Sequence, residues 1–372
     1  MGVQRVETFD DWKDLFHVWQ KGIGYDTKLF SSVLHGYEFG HRFGESKQAE
    51  IEFGEFSGRR KWEAVSEIPR AEIQDLLLRL ITVQGDTEFA SVEQQRRLLD
   101  SAPTEKDLRS IVRINAEEMR HGWQMSYLLV NFFGDAGKAE ARKLMQRCAD
   151  RGERLLGAFN GSVVDWLDFF TYTAFVDRDG AYQLKMLSHS GFGPLSRSME
   201  PMLQEESFHL LTGLTGLQRI LRAGKVPVEM VQKVINRWLP VCFDLFGQDR
   251  SRSAANAYQW GLKGRFDEEK AGKVEEPDQL NDAARRLYWK EVRALVGILN
   301  EGISDEKPKL HVPDPKFHRN VGKYQGERYS VAGELLDEEA YNRHLEAVLP
   351  TLADREKLRG IMKESGWIAP GI

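Results

Sequence analysis

The sequence predicts an all-α fold, and three observations support this prediction. Apolar side chains recur every three or four residues along most of the chain, which is the period of an amphipathic helix. Short breaks that contain proline, glycine, serine or threonine separate these stretches. No stretch shows the apolar run, bounded by turn residues, that is typical of a buried parallel strand.

The helical pattern divides the chain into segments. We predict helices near residues 8–20, 70–100, 104–134, 137–152, 162–190, 194–224, 227–247, 277–302, 337–348 and 353–365. Residues 21–68 are rich in glycine, aromatic and charged side chains, and residues 303–334 contain the prolines of an extended loop. We therefore expect an N-terminal wrapping segment at 1–68, a helical core at 69–250, and C-terminal helices and loops packed on this core at 251–372.

Two glutamate–histidine pairs stand out in the predicted core. One pair is Glu118 and His121, and the other is Glu206 and His209. Side chains three residues apart lie on one face of a helix, so each pair can bind a metal ion from one direction. A single Glu-x-x-His pair is common by chance, and the repetition gives this pattern its weight.

A lone carboxylate precedes each pair by almost the same distance. Glu88 lies 30 residues before Glu118, and Asp177 lies 29 residues before Glu206. A break near the middle of each interval predicts two antiparallel helical hairpins. Because the two arms of each hairpin have similar lengths, the two carboxylates of a hairpin should come to the same depth.

The first break also contains a helix-start signal. Pro103 cannot continue the preceding helix, because it lacks an amide hydrogen and clashes with the preceding turn. Thr104, followed three residues later by Asp107, is typical of an N-cap. The second arm of this hairpin is therefore expected to begin at residue 104 or 105.

The six side chains all fall on apolar helix faces, where carboxylates are costly unless they are paired or bound to metal. Four carboxylates and two imidazoles are the ligand set of a carboxylate-bridged di-iron site in a ferritin-like bundle. The pattern thus predicts a ferritin-like four-helix bundle with extra helices and long connecting segments. Oxygen and imidazole ligands favour two iron ions, with manganese as the alternative. The predicted metal ligands are Glu88, Glu118, His121, Asp177, Glu206 and His209.

Other polar residues near the motifs leave alternatives open. Gln84 lies one turn before Glu88, where it either hydrogen-bonds a ligand or an oxygen species, or packs as a satisfied amide. Asp86, Glu117 and Glu205 adjoin the motifs, and each either orients a histidine or forms an ordinary surface salt bridge.

A third Glu-x-x-His pair, Glu38 and His41, lies in a glycine-rich stretch. Glycines on both sides of this pair weaken any helix there, so the spacing of the two side chains has no common face to act on. We interpret this pair as a chance occurrence without a metal-binding role.

The composition excludes several classes of protein. The net charge is −5, from 52 basic and 57 acidic residues, and no basic block favours nucleic-acid binding. Cys148 and Cys242 are the only cysteines, which argues against a disulfide framework. Residues 1–6 lack the apolar core of a signal peptide, and no apolar run is long enough to span a membrane. A cytoplasmic protein is expected.

Several longer stretches resemble one family of enzymes. Residues 81–95, 177–180, 261–266 and 317–319 resemble the oxygenase components of benzoyl-CoA 2,3-epoxidases, an aryl-CoA branch of the ferritin-like di-iron proteins. The resemblance extends over roughly residues 50–365, and the catalytic subunits of phenylacetyl-CoA epoxidases are similar more distantly. This chain is shorter than the benzoyl-CoA enzymes at the N-terminus and between residues 267 and 310, regions that shape the thioester pocket in our interpretation.

The resemblance implies a di-iron monooxygenase that uses O₂ to epoxidise the ring of an aryl-CoA thioester, with electrons from a separate NAD(P)H-dependent reductase. It implies the same six metal ligands, and we assign catalytic roles to Gln84, Glu88, Glu118 and Glu206. The alternatives are a di-iron oxygenase that acts on another acyl-CoA or on nitrogen, and a non-catalytic ferritin-like iron-binding protein.

The resemblance also suggests residues for the CoA phosphates, which require cationic or hydrogen-bonding partners. Lys263, Arg265, His318 and Arg319 lie in the shared motifs. The alternative for each is an ordinary solvated surface side chain.

Overall fold

The computed structural model describes residues 5–25, 27–35, 37–45, 48–270 and 276–371. Within these ranges the protein is built from α-helices, with short 3₁₀ turns, isolated β-bridges and no strand. The predicted all-α class is therefore confirmed. The helices are α1 Phe9–Gly22, α2 Thr27–Val33, α3 Ala71–Gln95, α4 Glu105–Phe132, α5 Gly134–Gln146, α6 Trp166–Ser188, α7 Gly193–Ala223, α8 Val228–Leu245, α9 Arg252–Gln259, α10 Leu280–Glu301, α11 Glu338–Val348 and α12 Leu352–Ile361.

Each predicted helix has an observed counterpart whose ends differ by a few residues. The helix predicted at 137–152 ends at Gln146, because a 3₁₀ turn and a left-handed Gly152 follow it. The short helices α2 and α9 were not predicted. Among the residues that the structure describes, no helix is both long enough and apolar enough to cross a membrane.

The chain forms two compact units. Unit one comprises Met1–Val164, Leu184–Glu205 and Asn256–Ala271, and unit two comprises Asp165–Gln183, Glu206–Ala255 and Gly272–Ile372. The boundaries fall within α6, α7 and α9. Residues 1–4 and 271–275, which belong to the predicted N-terminal and C-terminal segments, lie outside the described residues. The three-segment division of the chain stays a prediction.

The helices α3 and α4 form the centre of unit one. The side-chain oxygen of Thr104 accepts a hydrogen bond from the Asp107 amide at 3.2 Å, so the predicted N-cap of α4 is confirmed. Glycine lets the two helices approach closely, since a Cβ on Gly122 would lie 2.5 Å from the Phe89 ring. This contact is one residue beyond His121, and it fixes the spacing of the two helices at the level of the motif.

A segment at residues 37–45, which we name the strap, runs over α4 and the first part of α7 in unit one. The Tyr37 hydroxyl donates to the Ala116 carbonyl at 3.0 Å, and the Arg42 amide donates to the Gln124 side chain at 2.7 Å. The Gly44 amide donates to the Arg197 carbonyl at 2.8 Å. Pro201 lies four residues after Arg197 inside α7 and has no amide hydrogen, so the strap supplies the hydrogen bond that the helix lacks there.

Glycine also brings α6 and α7 together within unit two. A Cβ on Gly213 would lie 2.3 Å from the Ala174 backbone nitrogen, and a Cβ on Gly216 would lie 2.1 Å from the Phe170 ring. These contacts follow the second Glu-x-x-His pair along α7. Unit two thus repeats the close helix pairing of unit one beside its own motif.

Candidate metal centre

Unit one holds a buried cluster of Glu88 from α3 with Glu118 and His121 from α4. The three side chains are buried, and one ligand atom from each lies within 4.8 Å of the other two. The closest printed contact joins His121 Nδ1 to a Glu88 carboxylate oxygen at 3.4 Å. The helical spacing and the hairpin lengths therefore bring these three predicted residues together.

The other ring nitrogen of His121 lies 2.8 Å from a carboxylate oxygen of Glu205. An ionised carboxylate only accepts hydrogen bonds, so Nε2 donates, which leaves Nδ1 directed to the cluster. Arg120 contacts both oxygens of Glu205 through Nε at 3.0 and 2.9 Å, and Arg42 of the strap contacts it at 3.0 Å. Two guanidinium groups thus hold the carboxylate that orients His121.

The charges of this cluster shift the pKa values in opposite directions. Burial favours a raised pKa for the Glu205 carboxyl, but the hydrogen bonds and charges of His121 and Arg120 outweigh it and lower the pKa to about 2. Burial favours a lowered pKa for the His121 imidazole, but hydrogen bonds to Glu205 and Glu88 raise it to about 9. For Glu88, the contacts with His121 likewise outweigh burial and lower the pKa of the carboxyl.

Unit two holds a second cluster of the same composition. Asp177 lies on α6, and Glu206 and His209 lie on α7, all three buried. His209 Nδ1 is 3.3 Å from a Glu206 oxygen and 4.0 Å from an Asp177 oxygen. Each unit therefore combines a carboxylate from one helix with a glutamate and a histidine from the next.

The donor chemistry of both clusters fits a metal ion. Ionised carboxylates that lie close together in a protein interior repel one another, and a divalent cation removes this repulsion. Carboxylate oxygen with one imidazole nitrogen is a ligand set for iron or manganese. These buried groups can therefore hold a metal, and the sequence-based assignment of iron and of the six ligands stays a prediction.

The structure distinguishes among the polar residues beside the motifs. Gln84 donates a hydrogen bond of 2.6 Å to Glu88, which agrees with the interpretation that it positions a ligand. Asp86 accepts from Arg154 at 3.2 Å and from the Leu155 amide at 2.7 Å, an ion pair that braces the loop after α5. Of these neighbours, Glu205 has the described contact with a motif histidine.

The four residues suggested for CoA phosphates lie in different units, Lys263 and Arg265 in unit one and His318 and Arg319 in unit two. Lys263 is half-buried, and its amide donates to the Ala257 carbonyl. Arg265 pairs with Glu268 at 3.3 Å.

The two residues in unit two have internal partners. The Arg319 guanidinium is buried against Asp244, and His318 Nδ1 lies 3.0 Å from the Tyr341 hydroxyl. Burial lowers the pKa of the His318 imidazole. These contacts favour structural roles for Arg265 and Arg319, and phosphate binding by the four residues stays a prediction.

The Glu38 and His41 pair occupies a non-helical part of the strap, where a three-residue spacing does not create a common face. The His41 ring stacks on Tyr127 with 3.9 Å between centroids. The interpretation of this pair as a chance occurrence agrees with its structure. The residue that the sequence analysis missed is Arg120, which adjoins His121 and whose role depends on a partner 85 residues away.

The comparisons with known proteins agree with this arrangement. A family described as phenylacetic acid catabolic protein matches residues 62–295, a range that contains both clusters. The chain is 34% identical over 394 residues to benzoyl-CoA oxygenase component B of Aromatoleum evansii, covering 90% of this chain and 82% of that protein. It is 23% identical over 257 residues to one subunit of the 1,2-phenylacetyl-CoA epoxidase of Escherichia coli strain K12, covering 68% and 76%.

These matches confirm the resemblance inferred from the sequence motifs. The family match spans more than half of the chain, and the relative from Aromatoleum evansii is similar along most of both chains. The protein therefore belongs to the phenylacetic acid catabolic protein family.

Proposed function

We propose that this protein is the oxygenase component of an aryl-CoA epoxidase, with benzoyl-CoA as the leading substrate. The observation that carries the proposal is the pair of buried carboxylate–histidine clusters, one in each unit. The names of the two relatives, a benzoyl-CoA oxygenase and a phenylacetyl-CoA epoxidase, support the substrate class.

In this proposal the two clusters together hold two iron ions through Glu88, Glu118, His121, Asp177, Glu206 and His209. When bound, the iron pair supplies the activation of O₂ and the transfer of one oxygen atom to the aromatic ring. Manganese in the same ligand set is the alternative.

The protein's own side chains position this chemistry. Glu205 holds His121 with Nδ1 directed to the cluster, and Gln84 holds the Glu88 carboxylate through its amide nitrogen. Burial of Glu88, Glu118 and Glu206 keeps bulk water away from the reacting atoms. Gln84 and these three glutamates are the proposed catalytic set.

The stoichiometry requires a second protein. Addition of one oxygen atom to the ring and release of the other as water consume two electrons and two protons. A separate NAD(P)H-dependent reductase supplies the electrons in our proposal. One relative is named as a component and the other as a subunit, which agrees with a system of several proteins.

The test measures NAD(P)H-driven O₂ uptake by the iron-loaded protein with a reductase and a panel of CoA esters. Uptake that benzoyl-CoA stimulates, with an epoxide product, supports the proposal. Stimulation by a different acyl-CoA or by an amine instead indicates the alternative oxygenase. Iron oxidation that no ester stimulates indicates a ferritin-like iron-binding protein without this activity.

A further inference from the structure

An open cleft of about 820 Å³ lies in unit one among the strap, α4 and the first part of α7. The part of its lining that bears on recognition is Arg42, Phe43, Arg113, Glu117, Glu200 and Glu205. The proposed metal chemistry does not use this cleft. It lies behind His121, because Glu205 lines the cleft and contacts the ring nitrogen that faces away from Glu88.

The solvent-facing charge of the cleft is mainly positive. The side chains of Arg42 and Arg113 are 51% and 45% exposed, whereas their partners Glu205 and Glu117 are 11% and 6% exposed. The guanidinium groups therefore face solvent while their counter-charges lie below them, and half-buried Glu200 adds one acidic group. Such a surface attracts an acidic partner and steers its approach.

An aromatic side chain lies between these charges on a fixed backbone. Phe43 is 41% exposed, which is unusual for a large apolar residue of this protein. The strap is held on both sides of it by the hydrogen bonds of Arg42 and Gly44. Exposed aromatic and arginine side chains on a pre-organised surface are typical of the energetic centre of a protein–protein interface.

The cleft also connects directly with the candidate metal centre. Glu205 accepts from Arg42 at its solvent side and from His121 Nε2 at its inner side, at 3.0 and 2.8 Å. A partner seated on the cleft is thus separated from a candidate metal ligand by one hydrogen-bonded carboxylate.

We propose that this cleft is the docking surface for a protein electron donor with an acidic face. The inference rests on the proposed oxygenase function, which consumes two electrons and two protons for each O₂. The donor is a reduced iron–sulfur or flavin protein, which loses the electrons that the oxygenase gains and is itself reduced by NAD(P)H.

The probe for the test is a plant-type [2Fe–2S] ferredoxin, a small acidic one-electron carrier. We measure its Kd for the metal-free protein at low and at physiological ionic strength, and the anaerobic rate at which it reduces the iron-loaded protein. The variants are Arg113→Gln and Phe43→Ser. The matched control is Arg97→Gln, whose guanidinium is 61% exposed and pairs with Asp150 elsewhere in unit one.

Each cleft variant should raise the Kd of ferredoxin by about tenfold, equivalent to about 1.4 kcal/mol. The reduction rate at low ferredoxin should fall by the same factor, while iron content and reduction by dithionite stay unchanged. Higher salt should weaken the binding of the wild-type protein, because the attraction is between exposed charges.

The proposal is overturned if Arg97→Gln loses as much affinity as the cleft variants, if the cleft variants lose none, or if the wild-type protein does not bind ferredoxin. Binding is measured on the metal-free protein, so it is independent of the di-iron proposal. A protein that binds ferredoxin at the cleft but takes up no iron contradicts the proposed function and leaves the docking surface standing.

Discussion

His121 Nε2 lies 2.8 Å from Glu205, and the same carboxylate accepts hydrogen bonds from Arg120 and Arg42. A neutral imidazole that donates from Nε2 presents the Nδ1 lone pair to a metal. Carboxylate partners of this kind fix the ring orientation of metal-binding histidines and raise their basicity. The orientation of His121 therefore depends on a residue that is not itself a proposed ligand.

Replacing this carboxylate should weaken metal binding without unfolding the protein. We expect Glu205→Gln to lower the affinity of the protein for iron(II) by about 10- to 100-fold, because the ring loses its charged partner. Anaerobic titration with iron(II) measures the affinity. Glu63→Gln is the matched control, because Glu63 also makes a two-pronged contact with an arginine, Arg197, in the same unit. Equal affinities of the Glu205→Gln variant and the wild-type protein would argue against this role.

The Gln84 amide should affect turnover more than metal content. Gln84→Leu removes the hydrogen bond to Glu88 and should lower ester-stimulated O₂ uptake by about tenfold or more, while the iron content stays unchanged. Gln74→Leu makes the same change on the same helix, where the amide contacts the Ile68 carbonyl instead. This control should keep full uptake. An unchanged rate in Gln84→Leu would show that the amide is only a packed neighbour.

The close approach of α3 and α4 makes a prediction about stability. Gly122→Ala places a methyl group against the Phe89 ring and should lower the free energy of unfolding by about 1–3 kcal/mol. Gly297→Ala on α10 has open space around the new methyl group and should raise it by up to about 1 kcal/mol. Thermal and denaturant unfolding of the metal-free variants measure both changes. A stable Gly122→Ala variant would contradict the helix spacing described above.

The two cysteines should differ in reactivity. Cys242 is buried, and burial raises the pKa of its thiol far above the usual range, so the thiolate is scarce at pH 8–9. Cys148 is half-buried. Alkylation of the native protein should therefore label Cys148 alone, and Cys148→Ser should abolish native labelling. Mass spectrometry of the labelled peptides checks this result, and rapid native labelling of Cys242 would contradict the burial of this residue.

Local rules predicted the composition of each cluster from the sequence. A three-residue helical step places Glu118 beside His121, and hairpin arms of equal length bring Glu88 to the same level. The Thr104 cap was equally predictable, because its partner Asp107 lies three residues away.

Features that depend on contacts distant in sequence were not predictable. Glu205 lies 163 residues from Arg42 and 84 from His121, so adjacency to a motif could not reveal that it orients a histidine. Helices as short as α2 and α9 depend on tertiary packing and carry little periodic signal. The motif arginine Arg319 shows the opposite case, because its sequence context suggested a ligand and the structure buries it against Asp244.

Iron stoichiometry tests the central claim most directly. The protein is loaded anaerobically with iron(II), freed of excess metal and measured by metal analysis and Mössbauer spectroscopy, in parallel with His121→Ala and His209→Ala. Our account predicts two iron ions per chain in one magnetically coupled pair after oxidation, with loss of coupling in both variants. A wild-type protein that retains no iron, or variants that keep a coupled pair, would contradict it.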